Sequence, residues 1–248
     1  MTQFLDTPQG RRIAYCKTEG QGPCIVFLSG LKSDMQGTKA VFLEAWAQAE
    51  GRAFLRFDYS GHGQSTGAFE EGSIGDWAED TLAAVSALTQ GPLVIVGSSM
   101  GGWQALLLAR RVPERIFGMV TIAAAPDFTE DGYWAGFSDA QKAALQRDGQ
   151  IELPSDYMEP YIITKRLIED GRQQLVLRDP LELPFPVVML QGTSDTAVST
   201  ETALRLMDHA TGSDMRLTLV KGADHRFSDG PCLALIKAAI LDVIESGK

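Results

Sequence analysis

Apolar runs of four to eight residues alternate with stretches of helical spacing along most of this chain. Short strands are predicted over 3–5 and 12–16, with Pro8-Gln9-Gly10 as the turn between them. A buried strand is predicted over 24–28, closing on Ser29-Gly30. Phe42, Ala45, Trp46 and Ala49 then recur at the spacing of a helix over 38–49, and Gly51 stops it. The alternation continues as strand 53–59, helix 74–88, strand 93–96, helix 100–111 and strand 116–125. It resumes as strand 187–190, helix 200–210, strand 215–220 and helix 232–245. Such a series predicts βαβ units, and so an α/β fold. About eight strands would form a mostly parallel sheet with helices on both faces, and the opening hairpin would add an antiparallel edge.

The rhythm breaks between Pro126 and Pro186. This stretch is rich in aromatics, with Phe128, Tyr133, Trp134, Phe137, Tyr157 and Tyr161, and shows no clear buried strand. Helical spacing over 139–147 and 161–169 fits better. The organisation expected is an α/β core from 1–126 and 184–248, interrupted by a helical cap or lid over 127–183. Tyr133, Trp134 and Phe137 are its candidate substrate-binding residues, although the same aromatics would equally glue the insertion to the core.

The sharpest motif is Val94-Ile95-Val96-Gly97-Ser98-Ser99-Met100-Gly101-Gly102. It reads as buried strand, G-x-S-x-G, then helix. Ser99 would sit on a turn too tight for side chains on either side, which explains Gly97 and Gly101. The helix beginning at Met100 would aim backbone N–H groups at the same spot. A serine hydroxyl is a weak nucleophile and needs a base. The chain has only three histidines. His225, just past the last strand, is favoured; His62, between Gly61 and Gly63, is the competitor; His209 falls on a helix. The imidazole needs an acid. Asp195, after the penultimate strand, is favoured and Asp127 is the alternative. The order Ser99, Asp195, His225 is that of α/β-hydrolases. The oxyanion donors expected are the backbone N–H groups of Met100 and of Leu31, the latter in the loop after strand 24–28.

Four strings carry a family resemblance: Gly37-Thr38-Lys39-Ala40, Arg56-Phe57-Asp58-Tyr59-Ser60-Gly61, Gly97-Ser98-Ser99-Met100-Gly101-Gly102-Trp103 and Asp224-His225-Arg226. On them the chain resembles the α/β-hydrolase superfamily over nearly its full length. More narrowly, it resembles the mitochondrial α/β-hydrolase-domain enzymes that cleave palmitoyl thioesters and acyl glucuronides, with their bacterial relatives. The resemblance implies a triad of Ser99, Asp195 and His225 that cleaves carboxylic esters or thioesters through an acyl-enzyme on Ser99. It is weak from Asp127 to Leu183, the part that would line the acyl pocket. Amide, peptide or C–C bond hydrolysis on the same scaffold is the alternative, and a non-catalytic binding module a further one.

Composition narrows the partners. The chain carries 32 acidic and 22 basic residues, a net charge of −10, which repels phosphate backbones and anionic membranes. The expected partner is a small-molecule or acylated substrate, with no nucleic acid and no membrane span. No cofactor or metal is expected. The three cysteines match no zinc or redox spacing and read as core residues of a reduced compartment. No basic stretch leads into an apolar run at the N-terminus, so a cytoplasmic location is expected.

Overall fold

The computed structural model describes residues 1–153 and 160–247. The chain opens with β1 (Gln3–Asp6), β2 (Arg12–Thr18) and β3 (Gln21–Leu28). Then α1 (Thr38–Ala49), β4 (Arg52–Phe57), α2 (Ile74–Leu88), β5 (Leu93–Ser98), α3 (Met100–Arg111) and β6 (Ile116–Ile122) follow. After the interrupting stretch, whose elements are α4 (Asp139–Asp148), β7 (Gln150–Leu153), β8 (Tyr161–Thr164), α5 (Lys165–Gly171) and the short β9 (Leu181–Glu182), the alternation resumes. It ends with β10 (Val187–Gly192), α6 (Thr200–His209), β11 (Ala210–Thr211), β12 (Met215–Val220) and α7 (Gly230–Ser246).

Eight strands form one sheet in the order β1-β2-β4-β3-β5-β6-β10-β12. From β4 to β12 every pairing is parallel, while β1 and β2 form the antiparallel edge. Both faces are buried, which is why the central strands read as unbroken apolar runs rather than alternating ones. On β3, Cys24, Val26 and Leu28 face one half of the core, with Trp77 of α2 and Trp103 of α3. Ile25 and Phe27 face the other half, with Leu43 of α1 and Ile240 of α7. Polar residues set the helix starts. Ser73, Ser199 and Asp229 accept hydrogen bonds from the first-turn N–H groups of Asp76, Thr202 and Cys232. Each such cap is worth about 1 kcal/mol.

Strand order reverses around β3, since β4 lies on one side of it and β5 on the other. Loops at the carboxyl ends of these strands therefore part and leave a crevice, the usual ligand position in open α/β sheets.

The stretch 127–183, expected to be helical, also carries the strands β7, β8 and β9 among its described residues. A helix forms at Asp139–Asp148, boxed at its start by Ser138 and Gln141 and ended by Gly149 at φ 78°. The helical spacing over 161–169, however, splits. Tyr161–Thr164 pairs antiparallel with Gln150–Leu153, and the helix begins only at Lys165. Tyr161-Ile162-Ile163-Thr164 is aromatic and β-branched throughout, which favours a strand. Thr164 then caps the helix by accepting from the Leu167 N–H at 3.1 Å. Among the described residues no helix is long and apolar enough to cross a membrane.

Candidate active site

Ser99 stands between β5 and α3 with φ 55° and ψ −119°, a conformation that side-chain-bearing residues rarely adopt. Backbone bonds hold it there. Its N–H donates to the Ile122 carbonyl at 2.9 Å, and its carbonyl accepts from Gly102 at 2.8 Å and Ala125 at 3.1 Å. The flanking glycines are sterically required. A Cβ at Gly97 would overlap the Gly101 carbonyl, and one at Gly101 would overlap the carbonyl of Leu28 at the end of β3. The turn thus brings the start of α3 hard against β3.

His225 reaches this point from the loop after β12. Its Nε2 lies 3.1 Å from Ser99 Oγ and its Nδ1 lies 2.8 Å from Asp195 Oδ2. The Asp195 side chain is fully buried. Its Oδ1 accepts from the N–H groups of Ala197 and Val198, each at 2.8 Å, and its Oδ2 also accepts from Gln191 Nε2 at 3.2 Å. Burial alone would raise the Asp195 pKa. The hydrogen bonds from His225 and the two amides outweigh it and hold the carboxyl below its ordinary range. With an ionised acceptor on Nδ1, the imidazole carries its proton there and turns a lone pair toward the Ser99 hydroxyl.

The two alternative residues have other partners. Asp127, buried in the loop that follows β6, accepts from the N–H groups of Val176 at 2.8 Å and Leu177 at 3.0 Å, and from Arg178 Nη1 at 3.1 Å. Burial pushes its pKa up despite these bonds. It ties the 176–178 segment to the sheet. His62 is buried, and its Nε2 accepts the Lys32 N–H at 3.2 Å. His209 Nε2 lies 2.8 Å from the Asp179 carbonyl.

The loop after β3 lies against Ser99: a Cβ on Gly30 would stand 3.3 Å from Ser99 Cβ. Leu31 follows directly, and Met100 opens α3, so both expected donor N–H groups are carried by segments that touch the serine. Tyr133 and Trp134 lie on a π-helical turn, Thr129–Trp134, and Phe137 just beyond it. Tyr133 and Phe137 stack at 6.2 Å, and Tyr133 meets Phe128 edge-on at 5.4 Å. Phe128 in turn abuts Trp103 of α3 at 5.6 Å. Trp134 instead sits beneath two cations, Arg172 at 4.5 Å and Lys142 at 5.3 Å, which ties it to packing of the insertion.

Sequence reasoning passed over two residues at this site. Gln191 bridges Asp195 to the Val198 carbonyl through its Nε2; its place one residue before the strand-ending Gly192 was the available signal. Lys39, inside the Gly37-Thr38-Lys39-Ala40 string, donates to the Arg226 carbonyl beside His225. Burial lowers its pKa to about 8. Among the described residues no group of His, Cys, Asp and Glu side chains is arranged to hold a metal ion.

The α/β hydrolase fold family matches residues 24–153. The chain belongs to that family. It is 34% identical to the mitochondrial palmitoyl-protein thioesterase ABHD10 of Rattus norvegicus, over 98% of this chain and 82% of that protein. The Homo sapiens protein of the same name is 33% identical over 98% of the chain and 79% of its own length. A solved structure from Agrobacterium vitis S4 superposes with a TM-score of 0.95 at 38% identity, covering 98% of both chains. The structure of mouse α/β hydrolase domain-containing protein 10 superposes with a TM-score of 0.91 at 31% identity, covering 99% of this chain and 98% of that one.

Proposed function

We propose that this α/β-hydrolase cleaves carboxylic esters and thioesters through a covalent acyl-enzyme on Ser99. The observation that carries the reading is the continuous line from Ser99 Oγ through the His225 ring to Asp195, with gaps of 3.1 Å and 2.8 Å. The likeness to palmitoyl-protein thioesterases supports the substrate class.

In this mechanism Ser99 Oγ attacks the acyl carbon while His225 Nε2 takes its proton. The Asp195 carboxylate stabilises the imidazolium that results. The N–H groups of Leu31 and Met100 bind the oxyanion of the tetrahedral intermediate. Its collapse breaks the C–S or C–O bond, and His225 returns the proton to the departing thiolate or alkoxide. A water then attacks the acyl-serine with His225 again as base, which frees the carboxylic acid and the serine. Phe128, Tyr133 and Phe137 form the aromatic wall proposed to meet the acyl group, next to the helix that Ser99 begins.

A series of S-acyl thioesters and p-nitrophenyl esters, from acetyl to palmitoyl, tests this with the wild-type chain and Ser99→Ala. The wild type should hydrolyse the series and take up a fluorophosphonate at one site. Ser99→Ala should do neither while unfolding at the same temperature. Turnover by Ser99→Ala would reject the mechanism, and faster cleavage of matched amides would reject the substrate class.

A further inference from the structure

The string Arg56-Phe57-Asp58-Tyr59-Ser60-Gly61 and the His62 that follows it have no part in the proton transfers above, yet they grip the loop that carries Leu31. Asp58 Oδ1 accepts the Met35 N–H at 2.6 Å, and Arg56 Nη1 donates to the Met35 carbonyl at 2.5 Å. The two peptides that flank Met35 are thus each held. The third grip falls much closer to the serine: the Lys32 N–H donates to His62 Nε2 at 3.2 Å.

The direction of this last bond is set by His62's own surroundings. Its Nδ1 lies 3.1 Å from the Ser60 carbonyl, which can only accept, so the ring proton is on Nδ1 and Nε2 presents a lone pair. Ser60 is itself fixed. Its N–H and Oγ donate to Asp80 Oδ2 at 2.9 Å and 2.6 Å, and Asp80 Oδ1 accepts from Arg11 Nε at 2.6 Å. The imidazole is walled by Trp77, Phe69 and Tyr59, with ring centroids 5.0, 5.3 and 5.6 Å away. Burial in this aromatic box pushes its pKa below the ordinary histidine value, so the lone pair persists at neutral pH.

Lys32 has φ 55°, a left-handed conformation that a lysine adopts only when something compensates. The peptide joining Leu31 to Lys32 can relax that angle by flipping. A flip exchanges N–H and C=O, and would point the Leu31 carbonyl at the His62 lone pair. An Nε2 acceptor therefore selects one orientation of this peptide and disfavours the other. Leu31 contributes the neighbouring N–H, so a flip beside it would also disturb the donor.

We propose that His62 is a positioning residue: by accepting the Lys32 N–H it holds the adjoining Leu31 N–H in place for the oxyanion. This rests on the reading of Ser99 as nucleophile. It implies that His62 acts on the tetrahedral state and not on substrate affinity.

Three variants test it, each assayed for kcat and KM on a p-nitrophenyl ester and for inhibition by an alkyl trifluoromethyl ketone, which forms a tetrahedral adduct on a serine. His62→Phe keeps a ring in the aromatic box and removes the acceptor. His62→Asn places its amide nitrogen near the Nδ1 position, still donating to the Ser60 carbonyl, and leaves no acceptor within reach of the Lys32 N–H. His62→Gln places an amide oxygen near the Nε2 position. His62→Phe and His62→Asn should lower kcat about 10- to 100-fold, somewhat less than outright loss of an oxyanion donor. KM should stay within about twofold, and the ketone should bind more weakly by a similar factor. His62→Gln should recover most of the loss. Wild-type kcat in the first two variants would overturn the proposal, as would a rise in KM alone. Gln being as slow as Asn would overturn it too, and that pair decides the matter even where Phe fails to fold. If Ser99→Ala is inactive while the His62 variants turn over normally, only the positioning role falls. If Ser99→Ala is active, the parent reading falls and this one with it.

Discussion

Asp195 shares its two oxygens among Ala197, Val198, Gln191 and His225. In Asp195→Asn the oxygen facing Ala197 and Val198 can stay, so the amide nitrogen must face His225 Nδ1. A donor there forces the imidazole proton onto Nε2, where it can no longer accept from Ser99. The expected loss is about 10⁴-fold in kcat with little change in KM, measured by steady-state hydrolysis of one ester. A loss under tenfold would remove Asp195 from the mechanism. The same substitution changes the acid limb of stability. The folded-state pKa of Asp195 lies below its ordinary value, so its carboxylate stabilises the fold above the unfolded pKa, near 3.9. That contribution is lost as pH falls through the folded pKa. Denaturant midpoints taken at falling pH should drop more steeply for the wild type than for Asp195→Asn below about pH 4. Parallel curves would contradict this.

At the scale of elements, the turn from β5 to α3 concentrates the strain. Ser99 holds a disfavoured φ, and the helix start is pressed onto β3 where only glycine fits. Gly101→Ala should therefore push α3 away from Leu28 and carry the Met100 N–H with it. Overpacking of this kind costs about 1–3 kcal/mol, or a fall of roughly 2–12 °C in Tm for a chain of this size. Turnover should fall further than the stability loss explains. Thermal melts beside fluorophosphonate labelling would show it, and an unchanged melt with full labelling would refute the packing account. The hairpin of β7 and β8 teaches the converse. Ile162, Ile163, Leu167 and Ile168 can be read with helical spacing, yet the first pair lies in a strand and the second in a helix. Periodicity over so short a window does not separate the two, and the pairing with Gln150–Leu153 decides it.

For the whole molecule, the two half-cores on either side of the sheet account for the thiols. Cys24 and Cys232 lie in opposite halves, and Cys16 packs with Ala14 and Met35 beyond them. All three are free and buried. Burial raises the Cys24 pKa to about 11 and that of Cys232 to about 12. Thiolate is the reactive form, so neither should react readily at pH 8. A colorimetric disulfide reagent should titrate less than one thiol per native chain and three after denaturation. Two or more fast thiols in the native state would mean that the core opens readily. Ion pairs add a second level of order between distant segments. Arg178 spans Asp127 and Asp131 within the interrupting stretch, and Arg205 of α6 joins Asp131, which ties that stretch to the core that follows it.

Local pattern by itself determined the alternation of buried strands and covering helices, the antiparallel opening edge and the strand-turn-helix around Ser99. These rest on short-range physics: periodicity, caps, and glycine where a Cβ has no room. It also determined which polar residues follow strands on the rim where Ser99 lies, and so narrowed the candidate base and acid to two choices each. What settled the partners of His62, His225, Asp127 and Asp195 was the tertiary structure, because each depends on loops 30 to 126 residues apart closing on the same few ångströms. The tautomer of His62 belongs to that level as well. It follows from a carbonyl two residues away and an amide thirty residues away, and only the folded sheet brings both to one ring.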